Sequence, residues 1–179
     1  MACLEGCPVD HEQFDPASPG PVGDEETVCR GAFGKRAHYT NSGVLRHAFI
    51  RGNDLIAGSL SIWRIDENSP EEKEEIKALI EAHPPPENRL WDIMGAAAGS
   101  IRSIRAPSRP DEQALHVFDD CVIDDSGNKH PKHAAIGICK TLHSETLEKD
   151  TPLYVEIRDA LHQCFMKRAI WSLPQSERR

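Results

Sequence analysis

The sequence predicts an α+β domain: a mixed or antiparallel sheet of about four to six strands, covered on one side by two main helices at 70–82 and 153–171. Two segments carry apolar residues at helical spacing, short strand-like runs lie between them, and nothing repeats at a fixed period. Helices and strands mixed at these spacings favour a sheet with helices packed against it.

The N-terminal part of the chain differs from the rest. Residues 1–43 contain four prolines, several glycines and the acidic run Asp24-Glu25-Glu26, with few positions at helix or strand period. We therefore expect an irregular, partly disordered arm over 1–43. A single globular domain over 44–173 and a solvated tail over 174–179 should follow.

Two strands are predicted at the start of the domain. Residues 44–51 form a largely apolar run, and a turn signal follows at Gly52-Asn53-Asp54. Residues 59–65 alternate, with Leu60, Ile62 and Arg64 on one face. The two runs could pair as a hairpin.

The helix at 70–82 has clear boundary signals. Ser69 suits the N-cap, Pro70 suits the first helical position, and acidic residues occupy the first turn. Ile76 and Ile80 belong to the apolar stripe, and the proline run at 84–86 ends the helix.

The later elements are less uniform. Residues 89–99 predict a helix or irregular piece, and 99–105 predict a strand. The apolar runs within 114–123 and 133–139 predict two further strands. Residues 153–171 keep helical spacing through Leu153, Ile157 and Leu161, so the last helix is expected there.

Charge and hydropathy exclude several classes of protein. The net charge of −8 argues against a protein that coats nucleic acid, because such domains are usually basic. No apolar run approaches the ~20 residues of a transmembrane helix. The first residues lack the pattern of a secretory signal, so we expect a cytoplasmic protein with free cysteines and no membrane association.

The densest group of titratable residues lies between the runs at 114–123 and 133–139. His130 and His133 follow a turn, and Asp120 and Asp124 precede it. Such a set could supply a general acid and base near neutral pH, or bind a divalent metal. The alternative is a polar loop without chemistry.

Two arginines interrupt apolar runs. Arg46 and Arg64 could converge on a phosphate or carboxylate, since a guanidinium group matches two oxygen atoms. The alternative is an internal ion pair with a carboxylate from residues 120–125.

The N-terminal cysteines suggest a zinc site of unusual spacing. Cys3, Cys7, His11 and Cys29 offer the ligand types that zinc prefers. Their spacing matches no familiar zinc finger, so free cysteines on the arm are the alternative.

A search for a nucleophile motif finds nothing complete. Gly58-Ser59-Leu60-Ser61 lacks the second glycine of a G-x-S-x-G elbow. The sequence also lacks a Gly-rich phosphate loop, H-E-x-x-H and C-x-x-C.

Two functions from different classes remain. The first is a small cytoplasmic interaction module that acts through a protein partner, as an accessory protein of a bacterium or mobile element. The second is a small hydrolase or transferase acting on a phosphorylated or nucleotide-like ligand. In such an enzyme, Arg46 and Arg64 would hold the anion. His133, aided by His130, would act as the acid or base, and Asp120 or Asp124 would orient an imidazole.

Overall fold

The computed structural model describes residues 18–82, 89–123, 127, 129–140, 142 and 147–178, leaving aside the side chains of residues 35 and 36. In these ranges the strands are β1 (Thr27–Phe33), β2 (Leu60–Ile65), β3 (Leu90–Ala97), β4 (Leu115–Asp119), β5 (Val122–Ile123), β6 (Lys129–His130), β7 (His133–Ile138) and β8 (Ala169–Ser172). The α-helices are α1 (Gly52–Ala57), α2 (Pro70–Ala82), α3 (Ala98–Arg102) and α4 (Pro152–Met166). Six strands form one sheet in the order β4-β7-β2-β1-β3-β8, and all neighbours are antiparallel. The predicted α+β class is confirmed.

The centre of the sheet contains two strands that the sequence did not predict. β1 and β3 pair along their whole lengths, and nearly every position in both is buried. A strand covered on both faces lacks the alternation of polar and apolar residues that reveals a half-buried strand. The predicted irregular arm is therefore wrong for β1, and the predicted helical or irregular piece is wrong for β3. Residues 1–17 of the arm lie outside the described residues.

Helices cover both faces of the sheet, whereas the sequence predicted cover on one face. α2 places Ile76 and Ile80 in an apolar cluster with Cys29 of β1. On the opposite face, α4 places Leu161 in a larger core with Val28 of β1. The smaller cluster under α2 leaves part of that face open, and the candidate site lies there.

The two main helices differ in how well their ends were predicted. α2 is confirmed at 70–82, and the Ser69 Oγ accepts a hydrogen bond from the Glu72 N–H at 3.2 Å. α4 ends at Met166, because Ala169–Ser172 pairs with the free edge of β3 as strand β8. The prediction of helix to residue 171 is wrong there. Among the described residues, no helix has the length and apolar composition needed to cross a bilayer.

Two further predicted strands are short helices instead. Within 44–51 the chain forms a 3-10 helix at His47–Phe49, and within 99–105 it forms part of α3. Phe49 and its neighbour Ile50 are both buried, whereas a strand would place them on opposite faces.

The segment at 133–139 is a strand, as predicted, whereas 114–123 divides into two strands, β4 and β5, that belong to different sheets. β4 lies at the edge of the sheet and pairs with β7. The connection between them carries a second, two-stranded ladder in which Val122 of β5 pairs with His130 of β6. This places His130 beside the site.

The C-terminal tail is anchored rather than solvated throughout. The Arg178 Nη2 donates to the buried Asp92 Oδ1 at 2.6 Å, and the Ser172 Oγ donates to the same oxygen at 2.5 Å. The predicted solvated tail is wrong at Arg178, because a buried carboxylate is stable only with such partners.

Candidate functional site

The candidate site is a cavity of about 450 Å³ at the place where β1 and β2 separate. The two strands pair only as far as Cys29 and Trp63. Beyond that point the gap between them opens toward the β5–β6 ladder. Its volume lies in the range of small-ligand pockets, roughly 300 to 1,000 Å³. Its polar lining includes Arg30, His38, Arg51, Ser61, His130 and His133.

The sheet brings Ser61 and His133 together from adjacent strands. His133 of β7 lies opposite Trp63 of β2, and Ser61 lies two residues before Trp63 on the same face. A diagonal pair of this kind is within reach of a long side chain. The Ser61 Oγ lies 2.6 Å from the His133 Nε2.

The other ring nitrogen of His133 determines which tautomer is present. The His133 Nδ1 lies 2.6 Å from the main-chain oxygen of Asp120. A carbonyl oxygen only accepts hydrogen bonds, so Nδ1 carries the proton and Nε2 is left with its lone pair. The Ser61 hydroxyl therefore donates to Nε2, the arrangement in which a histidine can remove the proton from a serine.

Asp120 completes the chain of contacts. It follows the last residue of β4, and its Oδ2 lies 3.5 Å from the His133 Nδ1. The Asp120 side chain is 42% exposed, so water partly screens its charge. The carboxylate can stabilise a protonated imidazole when His133 takes up a proton.

His133 is poised as a base rather than as a cation. Burial lowers the pKa of His133 below its usual value, and the charge of His130, when protonated, lowers it further. The hydrogen bond to Asp120 and its carboxylate oppose these effects. A neutral imidazole at pH 7 is the form that accepts a proton.

His130 lies in the cavity wall but makes different contacts. Its ring packs edge-on against Trp63 at 5.8 Å, and Trp63 contacts the His133 ring at 5.1 Å. The two predicted histidines therefore line one cavity, and both contact the same indole. Asp124 lies outside the described residues.

The predicted arginine pair does not lie at this cavity. Arg64 is buried elsewhere, with its Nε 2.7 Å from Glu26 Oε2 and its Nη1 3.4 Å from Asp119 Oδ1. Arg64 thus forms the internal ion pair considered as the alternative, though with carboxylates outside residues 120–125. Arg46 is exposed and does not line the cavity.

Arg30, which the sequence did not single out, is the less exposed of two arginines in the cavity wall, the other being Arg51. Its Nε donates to the Phe49 carbonyl at 3.1 Å, and its Nη1 donates to the Ser61 carbonyl at 2.5 Å. It fills the gap that opens between β1 and β2. Desolvation lowers the pKa of Arg30 to about 10, so it remains charged at pH 7.

His38 also lines the cavity and is neutral. It ends a π-helix at Gly34–His38, a local distortion often found at functional sites. Burial, together with the charges of Arg30 and Arg51, lowers the pKa of His38 to about 4. The Phe33 N–H donates to the His38 Nδ1 at 3.1 Å, so the ring proton is on Nε2.

The predicted zinc ligands are not assembled in the described part of the chain. Cys29 is fully buried in β1, and burial raises the pKa of its thiol, which opposes the thiolate form that zinc binds. Cys3, Cys7 and His11 lie outside the described residues. Across the described ranges, no group of three or more His, Cys, Asp or Glu side chains could hold a metal ion.

The missed residues carried weak signals in the sequence. The alternation at 59–65 placed Ser61 and Trp63 on one face, but a single serine in a strand is ordinary. Arg30 would have stood out as a charge within a buried strand only if β1 had been recognised.

Comparison of the chain with protein-family models, with curated proteins and with solved structures gave no match. The geometry of the cavity is therefore what points to a function.

Proposed function

We propose that this protein is a small hydrolase or transferase in which Ser61 is the nucleophile and His133 is the general base. The observation that supports the proposal is the 2.6 Å contact from the Ser61 Oγ to the unprotonated Nε2 of a buried, neutral His133. A serine hydroxyl is a weak nucleophile alone and is activated by an adjacent base. The contact lies in the wall of a cavity large enough for a small substrate.

The proposed reaction proceeds in two steps. The Ser61 Oγ attacks the acyl or phosphoryl centre of an ester, and its proton moves to the His133 Nε2. The imidazolium then returns that proton to the leaving alcohol as the ester bond breaks. Water attacks the Ser61 ester in the second step, with His133 again taking and returning one proton. Asp120 stabilises the imidazolium in both steps.

The interaction module predicted from the sequence remains a prediction. No contact among the described residues favours a particular protein partner, and the cytoplasmic location is likewise still a prediction. The two functions differ in one respect that can be measured, which is whether Ser61 is chemically reactive.

The test is covalent labelling with a fluorophosphonate probe. The serine oxygen forms a bond to phosphorus and fluoride leaves, so the probe reports an activated serine without knowledge of the substrate. We expect intact-mass spectrometry to show one adduct on the wild-type protein, and peptide mapping to place it on Ser61. The Ser61→Ala variant should not be labelled.

Ser59→Ala is the matched control. Ser59 is in the same segment, exposed, and absent from the cavity wall. This variant should be labelled at the wild-type rate. A folded wild-type protein that is not labelled at Ser61, or is labelled equally after Ser61→Ala, would overturn the proposal and return the interaction module to first place.

A further inference from the structure

Arg30 differs from the other largely buried arginines in its electrostatic surroundings. Arg64, Arg102 and Arg178 each pair with a carboxylate at 2.6–2.7 Å. No Asp or Glu among the described residues lies within ion-pair distance of Arg30, which bonds instead to two main-chain carbonyls. Asp54, which also lines the cavity, acts on Arg30 only from beyond ion-pair distance. A desolvated charge without a contacting counterion is costly, and an anionic ligand would lower that cost.

The carbonyl contacts hold the guanidinium group in one orientation. They use Nε and Nη1, and Nη2 has no hydrogen-bond partner in the described part of the chain. Because the Ser61 carbonyl is one of the two acceptors, the guanidinium is fixed beside the residue that carries the nucleophile. The Nη2 group, with its two N–H donors, is left to bind an oxyanion.

His38 and Arg51 complete the positive end of the cavity. The neutral His38 ring has its proton on Nε2 and can donate a hydrogen bond. Arg51 is an exposed guanidinium whose Nε lies 3.3 Å from Asp54 Oδ2. Arg30 and Arg51 together against Asp54 leave this end with an excess of positive charge.

We propose that this end of the cavity binds an oxyanion group, phosphate or carboxylate, of the substrate, with Arg30 as the principal ligand. The assignment of this anion to the substrate rests on the proposed function, since it specifies the substrate as an ester that carries such a group. Arg30 would hold the anion while the scissile bond lies against the Ser61 Oγ. A fixed anchor next to the nucleophile lowers the entropic cost of reaching the reactive geometry.

Anion binding can be measured without any reaction. Isothermal titration calorimetry with inorganic phosphate, and separately with acetate, should show binding to the wild-type protein. Arg30→Gln should weaken that binding at least about ten-fold, which corresponds to about 1.4 kcal/mol. Arg46→Gln is the control, because it removes the same charge from an exposed site outside the cavity and should leave affinity unchanged.

Arg30→Gln also removes two hydrogen bonds and could unfold the chain. A second measurement on the wild-type protein avoids this problem. In the wild-type protein, phosphate should shift the ring resonances of His38 in an NMR titration and leave those of the exposed His47 unchanged. Failure of phosphate and acetate to bind, or equal shifts at the two histidines, would overturn the proposal.

The substrate arms separate the two anions and separate this proposal from the hydrolase proposal. We would compare hydrolysis of 4-nitrophenyl acetate, 4-nitrophenyl hydrogen succinate and 4-nitrophenyl 3-phosphonopropanoate, in which the carboxylate or phosphonate is separate from the scissile acyl ester. Preference for the succinate ester identifies carboxylate, and preference for the phosphonate ester identifies a phosphate-like group. Arg30→Gln should abolish the preference.

The two proposals fail in different ways. If Ser61 is not labelled but Ser61→Ala still binds phosphate, the hydrolase is wrong and the anion site stands. If Ser61 is labelled but neutral and anionic esters react equally, the anion site is wrong and the hydrolase stands.

Discussion

A main-chain carbonyl, rather than a carboxylate, fixes the tautomer of His133. The His133 Nδ1 lies 2.6 Å from the Asp120 main-chain oxygen, whereas the nearest oxygen of the Asp120 carboxylate is 3.5 Å away and its side chain is 42% exposed. Removing the carboxylate therefore leaves the ring orientation intact. What it removes is a partly screened attraction to the imidazolium, worth at most about 1 kcal/mol.

This division of roles predicts a mild effect of Asp120→Asn. The rate of Ser61 labelling should fall by about two- to five-fold, which is the rate equivalent of roughly 0.4 to 1 kcal/mol. Burial already lowers the pKa of His133, and the carboxylate partly opposes that shift. Its removal should therefore lower the pKa further and move the acid limb of the rate profile to lower pH.

The measurement is the rate of fluorophosphonate labelling between pH 5 and 8. Groups that act on the His133 ring include His130, Asp119 and Asp120. His130→Gln serves as a comparison with the opposite sign, because it removes a charge that lowers the pKa of His133. An acid limb that moves to higher pH in Asp120→Asn would contradict this account.

Single residues were predictable when they differed from their local sequence. His130, His133 and Asp120 stood out because so many titratable groups gather in one short stretch, and all three lie at or beside the cavity. Ser61 became important only through a partner 72 residues away. Arg64 also differed from its apolar neighbours, but its charge belongs to an internal ion pair and not to the cavity.

Strands, too, were predictable only where their own sequence carried the signal. β2 alternates between buried and partly exposed positions over most of its length, and its sequence predicted a strand. β1 and β3, buried on both faces, gave no such signal. β8 continued the helical spacing of α4 and became a strand only because the edge of β3 was available for pairing. In each case tertiary contacts outweighed local preference.

The approach of α2 to β1 depends on a glycine in the cavity wall. A Cβ atom at Gly31 would lie 2.5 Å from the Ile80 Cγ2 and 3.1 Å from the Leu90 Cδ1. Real Cβ atoms essentially never lie so close to another heavy atom, so the Ile80 side chain or the helix that carries it would have to shift. This contact positions α2 over the cavity, which Ile80 also lines.

Gly31→Ala should therefore destabilise the protein by about 1 to 3 kcal/mol, the usual cost of overpacking a core. Urea unfolding followed by circular dichroism measures the change. Leucine has no γ-methyl branch on its Cβ, so Ile80→Leu removes the atom that the new side chain would meet. The loss in Gly31→Ala/Ile80→Leu should be smaller than the sum of the two single losses, and strict additivity would contradict the proposed contact.

Among the described residues, histidines are buried both in helix α4, at His162, and at the cavity, at His38 and His133. His38, His133 and His162 are each less than one-tenth exposed. Burial lowers the pKa of all three, and neighbouring positive charges add to the effect. The sequence shows nine histidines but not which of them folding removes from water.

These histidines predict that stability falls as the solution becomes acidic. Between the folded pKa of about 4 for His38 and its unfolded value near 6.5, the unfolded chain binds more protons than the folded one. The free energy of unfolding must therefore rise with pH across that window and level off above it. For His38 alone, the contribution lost on going from pH 8 to pH 5 is about 2 kcal/mol.

The measurement is urea unfolding between pH 5 and 8 in buffers without phosphate or carboxylate, so that no anion occupies the cavity. His38→Asn is the informative variant, because the amide oxygen can still accept the Phe33 N–H while the side chain no longer titrates. The difference between wild type and variant isolates His38 from every other titrating group. This difference in unfolding free energy should change with pH between the folded and unfolded pKa values of His38, about 4 and 6.5. Parallel curves for wild type and variant would show that His38 is protonated equally in the folded and unfolded chains.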